Sequence, residues 1–233
     1  MVIIQHPEFP SSQYYREVTW KTQIVLHHTV SGNGVQGDID WWRQTPDRIA
    51  AHYIIERDGT IHQLFDDKYW AYHLGLKIRD FKEQGLNYIN LNKNSIAIEL
   101  DSWGPLAPED NFRNNVFRPI DTEYKKLTPD FSKPQIPLKH VYEYCTCGKF
   151  RNYQWYEAYT PQQVDALHDL LVKLVKRHDI KSRYNEDMWF LSTDALRGEA
   201  GIWTHASFRK DKTDCHPQAA PYANLLGMLK TLK

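Results

Sequence analysis

The sequence has few cysteines, no excess of charge of either sign and no long apolar run. Cys145, Cys147 and Cys215 are too few for a framework of several disulfides, so we expect free thiols or a metal site in a protein made in a reducing compartment. Lys+Arg and Asp+Glu both number 29, which gives no electrostatic reason to expect nucleic acid or an anionic membrane as a partner. No run reaches the ~18 apolar residues of a membrane-spanning helix, and the first residues do not resemble a secretory signal. We therefore expect synthesis in the cytoplasm.

What the chain does contain is enough hydrophobic sequence for one sizeable domain. Its 233 residues are 41% hydrophobic, and we predict a single domain over residues 1–233. Residues 103–157 are rich in proline and aromatic side chains without helical periodicity, which predicts an ordered insertion. A smaller, loop-rich insertion is predicted at about residues 182–200. Within the first insertion, Cys145 and Cys147 could form a metal clip, but free thiols are favoured because no further ligands lie nearby.

Two local patterns predict secondary structure clearly. Residues 51–65 show a strand, an Asp58-Gly59 turn and a second strand, which together indicate a β-hairpin. A helix is predicted to start after Thr160, which would cap it, with Pro161 at the first position and Gln163 completing a capping box. The predicted helix has one apolar stripe, formed by Val164, Leu167, Leu170, Leu171, Leu174 and Val175.

The stretch IVLHHTV, residues 24–30, ends an apolar run in two adjacent histidines. Successive side chains of a strand point to opposite faces, so His27 and His28 cannot face the same way. One of them is free to line a site while the other packs or meets solvent. A histidine beside a core strand is usually structural, so the pair needs partners from elsewhere in the chain.

Candidate partners lie near the C-terminus and in a second strand. His205 follows the short apolar stretch GIW, and Cys215 comes ten residues later. Imidazole and thiolate are good zinc donors, and three protein ligands with one open position characterise a catalytic zinc site. In NSIAIEL, residues 94–100, Glu99 interrupts an apolar strand and lies on the face opposite Ile96, Ile98 and Leu100. It either meets water or acts as a general base on a metal-bound water.

Six segments occur in an order that resembles the zinc-dependent N-acetylmuramoyl-L-alanine amidases, a family that includes phage and bacterial cell-wall amidases and peptidoglycan recognition proteins. The segments are LHHT, AHYIIERDGTIHQLF, AYHLG, NSIAIEL, the YTPQQ helix and the H…TDC segment. The resemblance covers about residues 20–100 and 158–230. It implies an α/β fold with a mixed central sheet flanked by helices, and one zinc ion at the base of a substrate groove.

The resemblance also implies the metal ligands. It assigns the first histidine of LHHT, His27, and the histidine of the C-terminal segment, His205. The third ligand of the family is cysteine or aspartate, and here Asp214 and Cys215 are adjacent. The TDC pattern selects Cys215, and the KTD pattern selects Asp214 with a catalytic lysine, Lys212. We favour Cys215, since a thiolate binds zinc well.

The remaining roles follow from the same resemblance. A tyrosine that some members use is replaced here by Ala51, so Glu99 takes the role of base. Lys212 or Thr213 would stabilise the oxyanion, the lysine more strongly because it is cationic. His73 in AYHLG matches a recurrent histidine of the family and is predicted to line the groove and contact substrate.

The implied function is zinc-dependent hydrolysis of the amide between N-acetylmuramic acid and L-alanine in peptidoglycan or muropeptides. A non-catalytic peptidoglycan-binding module and a zinc peptidase acting on stem peptides are the alternatives. We expect a monomer that acts on the cell wall after release or non-classical export. A phage endolysin, a recycling enzyme and a secreted effector all fit this sequence.

Overall fold

The computed structural model describes residues 2–32, 34–110, 114–120, 128–144 and 148–232. Within these residues, the strands β1 to β11 are Ile3–Gln5, Gln23–His28, Tyr53–Ile55, Ile61–Gln63, Ser95–Leu100, Pro105–Pro108, Val116–Pro119, Ile136–Pro137, Val141–Glu143, Trp155–Glu157 and Gly201–Thr204. The helices α1 to α6 are Gln36–Gln44, Ile78–Lys82, Leu91–Asn94, Pro161–His178, Thr193–Leu196 and Leu225–Thr231. None of the helices in the described ranges is long and apolar enough to cross a membrane.

Six strands form a central mixed sheet in the order β1-β4-β3-β5-β2-β11. The pairs β3–β5, β5–β2 and β2–β11 are parallel, and β3–β4 is antiparallel. The antiparallel pair is the predicted hairpin, and Gly59 of its turn adopts a φ of 88°, a conformation that glycine reaches without strain. The predicted mixed α/β fold is therefore confirmed.

Helices cover both faces of this sheet because its central strands carry apolar side chains on both sides. Ile96, Ile98 and Leu100 pack in one core with the apolar stripe of α4 and with α6. Ala97 packs on the other face in a second core with Ile39 and Trp42 of α1. The alternation read from NSIAIEL is thus confirmed, and Glu99 shares the face of Ala97 by alternation.

Helix α4 begins as its sequence predicts. The Thr160 side chain accepts a hydrogen bond from the Gln163 N–H at 3.1 Å, and the Gln163 side chain accepts from the Thr160 N–H at 3.1 Å. Pro161 occupies the first helical position. Asp179 closes the helix in a left-handed conformation, with φ 52° and ψ 44°. The cap and the apolar stripe together anchor α4 against the sheet.

A second sheet of five short antiparallel strands, in the order β8-β7-β6-β10-β9, is formed by residues of the predicted 103–157 insertion. It has a small core of its own, made by Leu106, Phe117, Ile136 and Val141. Cys145 and Cys147 lie outside the described residues. The segment 182–200, predicted to be rich in loops, includes the helical turn Glu186–Trp189 and α5.

Candidate metal centre

Parallel pairing brings three of the predicted residues to one end of the central sheet. In the register of β2 and β5, His27 lies directly beside Glu99. On the other side of β2, Thr204 of β11 pairs with Leu26, so His205, the next residue, lies next to His27. Because parallel strands end at the same edge of a sheet, residues 178 positions apart in the chain meet here.

His27, His205 and Asp214 form a compact, buried group of candidate ligand atoms. The two Nδ1 atoms of His27 and His205 are 3.0 Å apart. Oδ2 of Asp214 lies 3.1 Å from Nδ1 of His27 and 2.9 Å from Nδ1 of His205. The three atoms are thus the corners of a nearly equilateral triangle.

A directed chain of hydrogen bonds determines which nitrogen of His27 carries the proton. The Ser95 hydroxyl donates to the carbonyl oxygen of Leu91 at 2.8 Å, since a carbonyl can only accept. Ser95 Oγ must then accept from His73 Nε2, 2.7 Å away. Burial holds the pKa of His73 well below its usual value, so its ring is neutral and its Nδ1 accepts from His27 Nε2 at 3.0 Å. His27 Nδ1 is left with a free lone pair.

The second imidazole is oriented in the same way. His205 Nε2 lies 3.0 Å from the carbonyl oxygen of Leu74 and donates to it. In the neutral ring, Nδ1 of His205 is then an acceptor. Burial lowers the pKa of His27 to about 4, which keeps the His27 ring neutral. The triangle therefore consists of Nδ1 of each imidazole and a carboxylate oxygen, and with both rings neutral it would offer a metal ion three lone pairs.

Three acceptors at this spacing suit a bound cation. A tetrahedral ion with bonds of about 2.0–2.1 Å separates its ligand atoms by about 3.3 Å, so the triangle is only a few tenths of an ångström too tight. Two imidazoles and one carboxylate are also donors that zinc prefers. Backbone carbonyl and histidine partners behind the ligands are typical of metal sites, where they fix the ring orientation. The group fits a divalent metal.

Cys215, which we favoured as the third ligand, does not belong to this triangle. Its Sγ donates to the backbone carbonyl of His27 at 3.0 Å. Burial raises the pKa of the Cys215 thiol well above its usual value. The structure places the alternative, Asp214, beside the two imidazoles instead.

Glu99 has the properties of a base poised beside this group. Its Oε2 is buried and has no hydrogen-bond partner among the described residues. Burial raises the pKa of Glu99 well above its usual value, and the charges of Asp214 and Asp38 add to the effect. The positive charge of Lys212 opposes them, so the lysine lies within electrostatic range of the carboxylate.

The other predicted residues take different places. His73, predicted to contact substrate, lies behind His27 and bonds both of its ring nitrogens to protein groups. Thr213 is partly buried between Lys212 and Asp214, and makes no side-chain hydrogen bond within the described part of the site. His28 points away from the triangle, as alternation predicts, and contacts the Tyr159 hydroxyl at 3.0 Å.

Two members of the site were missed from the sequence. Ser95 and the carbonyl of Leu74 orient the two imidazoles, but neither belongs to a residue type that signals metal chemistry. Strand alternation offered one clue to Ser95, because it shares a face of β5 with Glu99. The carbonyl of Leu74 carries no signal in the sequence.

The family model for N-acetylmuramoyl-L-alanine amidases, Amidase_2, matches residues 18–218. The chain belongs to this amidase family. The match includes all the residues of the triangle and Glu99. It also spans the second sheet, which the motifs in the sequence did not cover.

Several solved structures are similar to this amidase chain, all at low identity. PlyL is 12% identical, with a TM-score of 0.49 and coverage of 100% of this chain and 96% of that chain. N-acetylmuramoyl-L-alanine amidase LysC from Clostridium intestinale URNW is 14% identical, with a TM-score of 0.46 and coverage of 99% and 95%. Staphylococcus aureus hydrolase AmiA, in complex with its ligand, is 12% identical, with a TM-score of 0.46 and coverage of 98% and 80%. No curated protein sequence matches significantly. The family assignment rests on the match over residues 18–218.

Proposed function

We propose that this amidase is zinc-dependent and hydrolyses the amide between the lactyl group of N-acetylmuramic acid and L-alanine of the stem peptide. The observation that carries the proposal is the buried triangle of His27, His205 and Asp214 beside Glu99, whose Oε2 has no hydrogen-bond partner among the described residues. Bound at this triangle, zinc would polarise the scissile carbonyl and lower the pKa of a water molecule.

The surroundings of the protein groups support the following roles. Glu99 accepts the proton of the attacking water, because a raised pKa makes its carboxylate a stronger base. The same carboxyl then returns a proton to the leaving amine. The Lys212 ammonium stabilises the negative charge that develops on the carbonyl oxygen. Asp214 takes the place of Cys215 as the third ligand in this proposal.

Digestion of purified sacculi tests the bond that is cleaved. The zinc-loaded protein is expected to release intact stem peptides from the glycan, identified by mass, and a chelator should stop the release until zinc is restored. Fragments cut within the stem peptide would indicate a peptidase instead. Binding to sacculi without any release would indicate a non-catalytic module.

Glu99→Gln separates catalysis from binding at the same site. The amide keeps the size of the side chain but cannot take a proton, so turnover should fall by about 10²- to 10⁴-fold. Zinc content, measured by atomic absorption, should stay at one ion per chain, because the three ligands are untouched. Loss of zinc from this variant would contradict the role of Glu99 as a base.

A further inference from the structure

A cavity of about 310 Å³ lies between the central sheet and the second sheet. Arg57 and Asp101 reach it from the carboxyl ends of β3 and β5, and Trp103 and Glu157 reach it from the second sheet and the segment before it. The Asp101 N–H continues the ladder of β5 by donating to the carbonyl of Ile55 at 2.9 Å. Asp101 follows Glu99 by two residues, and two residues of extended chain span roughly 7 Å. The cavity therefore opens near Glu99, at the end of the sheet where the metal centre lies.

The polar groups of this cavity are held in fixed positions. Glu157 accepts from Arg57 through both oxygens, at 3.1 and 2.8 Å, and from the backbone N–H of Trp103 at 2.6 Å. Arg57 also donates to Asp101. The Trp103 indole lies against Gly32, where a Cβ atom would come within 2.1 Å of Nε1. Groups fixed in this way lose little entropy when they bind a ligand.

Asp101 has an oxygen that the protein leaves unused. The residue is 2% exposed, and its Oδ1 has no hydrogen-bond partner among the described residues. Burial raises the pKa of Asp101 to about 6, against the opposing charge of Arg57. A buried polar atom without a partner is costly, and a ligand hydroxyl or amide in the cavity would satisfy it.

The charge of the lining selects the class of ligand. Among the described residues that line the cavity, four carry carboxyl groups, Glu56, Asp58, Asp101 and Glu157, and one, Arg57, is a cation. A second cation, Lys133, lies 5.6 Å from the centroid of the Trp103 ring. An acidic lining repels the carboxylates of a stem peptide, whereas a neutral sugar ring can pack on an indole and hydrogen-bond to carboxylates.

We infer that this cavity is a saccharide subsite that holds an N-acetylhexosamine of the glycan while Glu99 acts as the base in hydrolysis of the adjoining amide. The inference rests on the proposed function for the identity of the glycan. It places the sugar on the side of β3 and the second sheet, and it gives the second sheet a part in substrate binding.

Calorimetric titration of the full, zinc-loaded chain with a neutral β-1,4-linked tetramer of N-acetylglucosamine tests the subsite. Trp103→Ala removes the indole, and Gly32→Ala displaces it, and each should weaken binding at least roughly tenfold. Phe131→Ala is the matched control, since Phe131 is an aromatic residue of the same sheet region that is 65% exposed and lies outside the cavity lining. This variant should bind like the parent. Circular dichroism and zinc content should be unchanged in all three.

The outcomes separate this inference from the proposed function. If the parent binds the sugar and both Trp103→Ala and Gly32→Ala lose this binding, the subsite is supported even when the parent does not cleave sacculi. The missing cleavage would contradict only the proposed function. Cleavage of sacculi with no sugar binding, or with equal binding by Trp103→Ala and the parent, would overturn the subsite and leave the proposed function standing. For cleavage itself, Trp103→Ala should raise KM and leave kcat unchanged.

Discussion

At the scale of single residues, the candidate metal centre depends on which atom each side chain directs toward the triangle. Alternation along a strand, read from IVLHHTV, correctly separated His27 from His28, and the same rule placed Glu99 opposite the aliphatic residues of β5. The choice between Asp214 and Cys215 could not be made in this way. Adjacent residues in a loop have no fixed alternation, so which of them faces the imidazoles depends on the path of a backbone that the sequence does not specify.

Substitutions of the two adjacent residues should therefore give opposite results. Asp214→Ala removes a corner of the triangle, and zinc, measured after dialysis, should fall well below one ion per chain. Cys215→Ser keeps a donor to the His27 carbonyl and should retain both zinc and activity. A Cys215→Ser protein that folds but has lost its zinc would restore Cys215 as the ligand.

His73 should affect the metal without touching it. His73→Phe removes the acceptor of the His27 Nε2 proton, so the ring can turn or change tautomer, and zinc affinity should fall by about 10- to 100-fold. Competition with a chromophoric chelator measures the affinity directly. His73→Gln, which keeps an acceptor, should lose less, and equal losses in the two variants would mean that the contact only fills space.

At the scale of elements, local signals predicted those parts of the fold that depend on short stretches of chain. The Asp58-Gly59 hairpin and the cap of α4 both formed where their sequence signatures lie. The second sheet was predicted only as an ordered insertion. Its strands are two to four residues long, and such short strands carry too few residues to show alternation.

The cap of α4 should contribute measurably to stability. Thr160→Ala removes the acceptor for the Gln163 N–H and the donor to the Arg57 carbonyl, so we expect a loss of about 1–2 kcal/mol in the free energy of unfolding. Urea denaturation followed by circular dichroism measures the loss. Thr231→Ala, in the exposed last turn of α6, is the control and should change stability by less than about 0.5 kcal/mol. Equal losses at the two positions would show that the Thr160 cap is not special.

At the scale of the whole molecule, a buried carboxylate joins the end of α4 to the central sheet. Asp67, which follows β4, accepts hydrogen bonds from Tyr53 of β3 at 2.6 Å, from Arg177 at 2.7 Å and from His178 at 2.9 Å. Burial alone would raise its pKa, but the bonds from His178 and Tyr53 and the charge of Arg177 outweigh burial and hold the pKa well below its usual value. The protonation of this one side chain thus makes the stability of the folded state depend on pH.

This link predicts how stability changes in acid. Because the Asp67 pKa is lower in the folded than in the unfolded chain, its contribution is complete above the unfolded value of about 3.9 and is lost as the pH falls toward the folded value. Asp67→Asn should therefore lower the free energy of unfolding at pH 7 by about 1–3 kcal/mol, less than for a fully buried pair because Arg177 is 56% exposed. In urea titrations at pH 7, 5, 4 and 3, the gap between parent and variant should narrow below about pH 4. Asp66→Asn, at an exposed carboxylate paired with Lys68, should show a small gap at every pH, and a gap for Asp67→Asn that does not change with pH would mean that its contribution is not electrostatic.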